Sequence, residues 1–216
     1  MKNYVLIDLD GTLTDSQEGI TKSLQYALQY MNVIEEDLDK LTRHIGPPLR
    51  ESIDEYYGFN EEDTIKVIRK YRERYNEKGL YENKVYDGIE RTLSKLKQAG
   101  KYLIVATSKP EDAAKRVLEH FYLDCYFDDI CGSSEKEGRN NKVDVIIHAL
   151  EKNQIKDLSK VVMVGDRKYD IEGAKTVGIS SIGVLYGFGS RKELEEAGAD
   201  KIAETPEEIY DIVVSL

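Results

Sequence analysis

Tryptophan is absent from the 216 residues, and cysteine is scarce. Cys125 and Cys131 have five residues between them, which excludes a CxxC metal or redox pattern and leaves two free thiols suited to a reducing cytosol. Positive charge is also short: 31 Lys+Arg stand against 41 Asp+Glu, a net charge of −10. That balance argues against a broad nucleic-acid-binding surface, which needs a surplus of cations for the phosphates. No apolar run reaches the ~18–20 residues of a membrane span. The chain opens on Met1-Lys2-Asn3-Tyr4 and runs straight into a strand pattern, without signal-peptide architecture, so a cytoplasmic location is expected. Internal repeats and low-complexity segments are missing too. What is present is a 40% apolar fraction, enough for a sizeable core. Against a prior of roughly 100–200 residues per domain, the length predicts one domain or one domain with an insert.

Four short apolar runs end in polar or glycine-containing segments. Tyr4-Val5-Leu6-Ile7 ends in Asp8-Leu9-Asp10-Gly11, and residues 102–106 end in Thr107-Ser108-Lys109-Pro110. Residues 161–164 end in Gly165-Asp166, and residues 181–185 end in Tyr186-Gly187. The runs are continuous rather than alternating, as for strands covered on both faces of a parallel sheet. Weaker strand patterns cover residues 126–131 and 201–203. Helical patterns lie between them, over residues 88–98, 111–121, 142–152 and 170–177. Strand followed by helix, repeated, predicts an α/β fold with a doubly wound, Rossmann-like parallel sheet.

Residues 16–82 break that rhythm. They carry no convincing strand, and the spacing predicts helices over 19–31, 35–41, 48–57 and 61–78. Ile65, Ile68, Arg72 and Tyr75 mark a thin stripe on the last, which predicts a helix that covers another surface rather than filling a deep core. A helical block here reads as a small inserted cap, residues 16–83, within a core made of residues 1–15 and 84–216. Its two connections are expected at residues 14–18 and 81–87. Residues 133–141 read as a mobile polar loop.

In an open parallel sheet the site lies outside the carboxyl ends of the strands. Those ends carry Asp8, Asp10, Thr107, Ser108, Asp166 and, a few residues on, Asp170. Clustered carboxylates repel one another unless something neutralises them, and a divalent cation is the usual answer. Oxygen-only ligation without His or Cys selects Mg²⁺ over zinc. Gly11 and Thr12 give a turn whose amides can face an anion. Thr107 adds a hydroxyl, and Lys142 or Lys109 can set a positive charge against phosphate oxygens.

Asp8-Leu9-Asp10-Gly11-Thr12-Leu13 resembles the DxDGT[LV] signature of the haloacid dehalogenase superfamily. Thr107 matches its second motif, and Gly165-Asp166 with Asp170 matches its GDxxxD motif, in the right order from Asp8 to about Gly189. The insert after the first motif is similar to the cap of the subgroup that contains phosphoglycolate phosphatases, β-phosphoglucomutases and some 5′-nucleotidases. Ile45-Gly46-Pro47-Pro48-Leu49 resembles that subgroup's substrate-facing loop. The resemblance implies a Mg²⁺-dependent phosphomonoesterase acting on a small phosphorylated metabolite. It makes Asp8 the nucleophile that forms an aspartyl-phosphate, and Asp10 the general acid and then base. Thr107 is implied to hold a phosphoryl oxygen. Asp8, the backbone carbonyl of Asp10 and Asp166 are implied to hold the metal, with Asp170 nearby. The third motif is a lone Lys. Lys142 fits it, without the Lys-Pro pair common in relatives, and Lys136 competes.

Blander readings stand beside these. Ser108 and Lys109 fit turn residues, and Gly46-Pro47 fits a helix start. Arg50 and Arg43 can read a distal anion of the substrate, whereas His44 reads as a surface residue. A phosphomutase is disfavoured because such relatives usually carry Glu-Asp where this chain has Gly165-Asp166. A dehalogenase needs no Asp10, and a non-catalytic module would gain nothing from intact clustered acids. The chain is expected to work as a monomer or small homo-oligomer. Phosphoglycolate, a sugar phosphate and a nucleoside monophosphate all remain open as substrates.

Overall fold

The structure, a computed structural model, describes residues 2–216. Its first half runs β1 (Tyr4–Ile7), β2 (Thr14–Asp15), α1 (Gln17–Tyr30), α2 (Leu49–Tyr57), α3 (Glu61–Arg74), β3 (Lys84–Val85), α4 (Ile89–Gln98) and β4 (Tyr102–Pro110). It continues with α5 (Glu111–His120), β5 (Asp129–Ser133), α6 (Lys142–Lys152), β6 (Val161–Gly165) and α7 (Lys168–Val177). The chain closes with β7 (Ser180–Val184), α8 (Arg191–Ala197), β8 (Lys201–Ala203) and α9 (Pro206–Ser215).

Six of these strands form one parallel sheet in the order β5-β4-β1-β6-β7-β8. The continuous apolar runs are explained by burial on both faces. Val5 and Ile7 point to one side, into a cluster with Leu93 of α4, Val117 of α5 and Val213 of α9. Leu6 points to the other, into a cluster with Val145 and Ala149 of α6 and Ala174 of α7. Helices on both faces make the doubly wound α/β fold expected from the sequence. β1 is central, with β4 on one side and β6 on the other, so the crevice at its carboxyl end collects residues from all three.

The remaining strands, β2 and β3, form an antiparallel ribbon with Thr14 opposite Val85 and Asp15 opposite Lys84. The Lys84 ammonium lies 3.2 Å from Asp15. The chain therefore leaves the sheet toward α1 and returns after α3 through two paired strands, a feature with no apolar signature to reveal it. Helices α1–α3 surround their own cluster of Leu24, Leu28, Leu41, Ile53 and Val67, all fully buried. The thin-stripe expectation for α3 is corrected here. Val67 and Ile68 face that cluster, while Ile65 is 49% exposed.

Other local readings shift as well. Residues 35–41 are not an α-helix; a 3₁₀ segment covers Leu38–His44, with the Asp37 side chain accepting from the Asp39 amide. α3 ends at Arg74 and passes into a π-helical turn, Tyr75–Gly79. The strand read over residues 126–131 lies instead at Asp129–Ser133, after a 3₁₀ turn at Asp124–Tyr126. The polar loop after it holds another 3₁₀ turn at Glu135–Glu137. Among the described residues no helix is long and apolar enough to cross a membrane.

Candidate active site

β1 delivers the first carboxylate. The Asp8 amide still donates to the Val164 carbonyl of β6 at 2.9 Å, as a strand residue would, and the Leu9 amide then caps Asp8 Oδ1 at 2.8 Å. The chain turns at once, with the Leu13 amide donating to the Leu9 carbonyl at 2.9 Å and the Gly11 amide to the Thr14 carbonyl at 2.8 Å. Gly11 sits at φ +82°, and a Cβ there would lie 2.2 Å from Asp166 Oδ2. Only glycine allows both the backbone angle and the approach of the two loops.

β6 delivers the second carboxylate. Asp166 is fully buried, accepts from the Phe188 amide at 2.8 Å and from the Thr12 hydroxyl at 3.3 Å. Asp170, in the first turn of α7, accepts from the Arg167 amide at 3.1 Å and packs so closely on Gly165 that a Cβ there would meet its carboxyl carbon at 2.1 Å. Asp8, Asp166 and Asp170 each offer an oxygen within 4.8 Å of the others. Burial pushes the Asp8 carboxyl up to about 6 despite the pull of Lys142, and it raises Asp166 well above the carboxylate range, aided by the charges of Asp170 and Asp8. Three buried carboxyls crowded together, with oxygen as the sole donor type, fit a hard divalent cation.

Asn141 caps α6 by accepting from the Asp144 amide, which places Lys142 at the first helical position. Its buried ammonium lies 3.0 Å from Asp8 Oδ1 and 2.7 Å from Asp170 Oδ1, and donates to the Ala106 carbonyl at 3.0 Å. Burial is the largest single effect on this ammonium and would lower it. The summed attraction and hydrogen bonds of Asp170 and Asp8 outweigh burial and hold the group charged above its ordinary range. Lys136 lies elsewhere, exposed on the rim of the cleft. The Asp10 carboxylate stands apart from the three-acid cluster and pairs with Lys109 at 2.5 Å. Four carboxyl groups thus face two ammonium groups, an excess of acid that a bound cation would offset.

These groups open onto a cavity of about 1110 Å³ between the sheet and the helical insert. Thr107, Ser108, Gly46, Pro47 and Arg50 all line it. Thr107 is buried and its hydroxyl oxygen accepts from the Lys109 amide at 3.2 Å; the buried Ser108 hydroxyl has no partner. Arg50 lies at the outer end, paired with Glu61 at 3.0 Å. Arg43 turns away and stacks over the Tyr56 ring at 4.1 Å. His44 corrects the sequence reading: it is buried, its Nδ1 lies 2.5 Å from the Ser52 hydroxyl, and its ring stacks on Tyr57. Burial lowers it to about 4, so it is neutral near neutral pH.

Two contacts carried no clear sequence signal. Arg167 reaches across to the insert and donates to the Ile45 carbonyl while holding Glu193 at 2.8 Å. Lys109, two residues past Thr107, turns inward to Asp10 rather than out into solvent. Its place at the end of β4 was the available clue.

Residues 5–184 match the family described as haloacid dehalogenase-like hydrolase. The chain belongs to that family. A 5′-nucleotidase of Pseudomonas aeruginosa is 44% identical over 190 residues, covering 88% of this chain and 86% of that protein. Tyrosine-protein kinase PtkA of Mycobacterium tuberculosis is 40% identical over 186 residues, covering 86% of this chain and 62% of the longer protein. The crystal structure of "a predicted phosphatase from Clostridium acetobutylicum" superposes with a TM-score of 0.97 at 50% identity, with all of both chains covered. This haloacid dehalogenase-like hydrolase is therefore an enzyme of the phosphatase class, acting on phosphorylated substrates.

Proposed function

We propose that the protein hydrolyses a small phosphate monoester with Mg²⁺ and passes through an aspartyl-phosphate on Asp8. The observation that carries this reading is Asp8 itself. It is a buried carboxylate at a strand end, held by Lys142, within 4.8 Å of two further acids, and two residues before a carboxylate with one free oxygen. An Asp8 oxygen attacks phosphorus and the bond to the leaving oxygen breaks as Asp10 gives that oxygen a proton. Water then attacks phosphorus of the acyl phosphate, Asp10 takes its proton, and Asp8 is released with inorganic phosphate. Lys142 and the Thr107 and Ser108 hydroxyls are assigned to the phosphoryl oxygens. The Gly11 and Thr12 amides, expected there from the sequence, donate instead to the Thr14 and Leu9 carbonyls within the turn. Asp8, Asp166, Asp170 and the Asp10 backbone are assigned to the cation. When bound, Mg²⁺ neutralises charge on the nucleophile and the phosphoryl group, which is most of what phosphoryl transfer requires.

In this reading residues 1–15 and 84–216 supply the chemistry, and the insert, residues 16–83, supplies recognition through Gly46, Pro47 and Arg50. The substrate is a small phosphorylated metabolite, with 5′-nucleotides in the panel because of the Pseudomonas relative, and the setting is the cytoplasm. The test is Asp8→Asn, which keeps shape and removes the nucleophile. Hydrolysis of p-nitrophenyl phosphate should fall to background in a folded protein, and activity within about tenfold of the parent would remove Asp8 from the chemistry.

A further inference from the structure

Asp10 is restrained at only one of its two oxygens. The Lys109 ammonium lies 2.5 Å from Oδ2, with the two side chains 4% and 12% exposed, whereas Oδ1 is buried without a hydrogen-bond partner. Lys109 is itself held from the insert. It donates to the Tyr75 hydroxyl at 2.7 Å, and its ammonium sits 5.0 Å from the centre of the Tyr75 ring. Tyr71 stacks on Tyr75 at 5.2 Å with the rings 11° from parallel. Tyr75 opens the π-helical turn, and that turn is pinned against α1, since a Cβ on Gly19 would lie 1.8 Å from the Gly79 carbonyl oxygen. The whole chain of contacts, from α1 to Asp10, is packed and aromatic.

We propose that Lys109 and Tyr75 are positioning residues through which the insert holds the Asp10 carboxylate in one orientation at the reacting ester. The inference rests on Asp10 being the general acid and base. A carboxyl free to rotate presents either oxygen at varying angles, and misplacement of about 1 Å can cost on the order of 10²-fold in rate. Lys109 is too enclosed to read the distal part of a substrate, and two of its three N–H donors are occupied. Its contribution is orientation of Asp10, and it vanishes if the insert does not bring Tyr75 to it.

The experiment compares kcat/KM on p-nitrophenyl phosphate and glycerol 2-phosphate for Lys109→Met, Lys109→Arg, Tyr75→Phe and, as the reference, Asp10→Asn. kcat/KM reports the first phosphoryl transfer, where the alkyl leaving group needs a proton and p-nitrophenolate does not. Lys109→Met should lose about 10–100-fold on the alkyl ester and several-fold less on the aryl ester. Tyr75→Phe should shift the ratio in the same direction by about threefold, and Lys109→Arg should restore most of it. Should Lys109→Met not fold, as judged by circular dichroism, Tyr75→Phe decides. Equal losses on the two esters, or an unchanged ratio in these variants, overturn the relay. If Asp10→Asn itself shows no leaving-group dependence, the acid–base role falls and the relay with it; if only Asp10→Asn shows it, the relay alone is wrong.

Discussion

Replacing Lys142 by Met tests the electrostatic core of the site. The ammonium lies 3.0 Å from Asp8 and 2.7 Å from Asp170. At an effective dielectric near 20, each of these contacts is a gross attraction of roughly 5–6 kcal/mol, largely offset by the desolvation of all three groups. Met preserves the volume of the stem but leaves two carboxyls buried beside each other. Removing one partner of a buried ion pair costs about 3–5 kcal/mol. For a chain of this length that lowers the Tm by roughly 6–20 °C. The assay is thermal unfolding after treatment with a chelator, with and without Mg²⁺ added back. The cation carries two positive charges to the same acids, so the loss should shrink markedly in its presence. Lys142→Met combined with Asp170→Asn should cost less than the sum of the two single changes, by about 0.5–3 kcal/mol, because the second change removes a carboxylate the first has stranded. Hydrolysis stays low in all three variants. A metal-free Tm within about 2 °C of the parent, or strictly additive single changes, would refute the view that Lys142 holds this acid cluster together.

Two further outcomes follow from the same geometry. Gly11→Ala should fold less well and lose its response to Mg²⁺ without altering any ligand, because the new Cβ at 2.2 Å displaces Asp166 and the φ of +82° is strained; a normal Mg²⁺ titration by calorimetry would contradict this. The pH dependence has a definite sign. Asp8 in the metal-free fold is raised from 3.8 to about 6. Such an acid binds its proton more tightly folded than unfolded, so the metal-free protein loses stability as pH rises through that window, by at most about 3 kcal/mol from Asp8. Metal must displace those protons. The Tm gain from Mg²⁺ should therefore be larger at about pH 7 than at about pH 4.5, and equal gains would show that the acids are already ionised in the metal-free fold.

The chemistry-bearing part of the site was more legible than its supports. β1, β8 and α6 lie where the pattern put them, since a run such as Val5-Leu6-Ile7 has few alternatives when both faces are covered. The acids follow from motif spacing, because Asp8, Asp166 and Asp170 sit at the ends of elements the pattern located. What escaped depends on contacts between distant segments. The pairing of Thr14 and Asp15 with Lys84 and Val85 has too few residues to carry a periodicity. The π-helical turn at Tyr75 continues the apolar spacing of α3, so spacing alone cannot mark the change. His44 became a core residue because Ser52 and Tyr57 close over it, and Lys109 faces inward because Tyr75 arrives from the insert. α8 is short and mostly charged, with Leu194 and Ala197 as its buried residues, and left little to read. α9 was missed despite a usable start signal, Pro206 at the first turn followed by Glu207 and Glu208.

The most direct test of the central claim is to trap the covalent intermediate. The enzyme is quenched in acid during turnover of a good substrate, treated with borohydride, digested and sequenced by mass spectrometry. Borohydride reduces an acyl phosphate to the alcohol, so the account predicts homoserine at position 8 alone, dependent on both substrate and Mg²⁺. An unmodified Asp8 under conditions where phosphate is released steadily, or reduction at any other carboxylate, contradicts it.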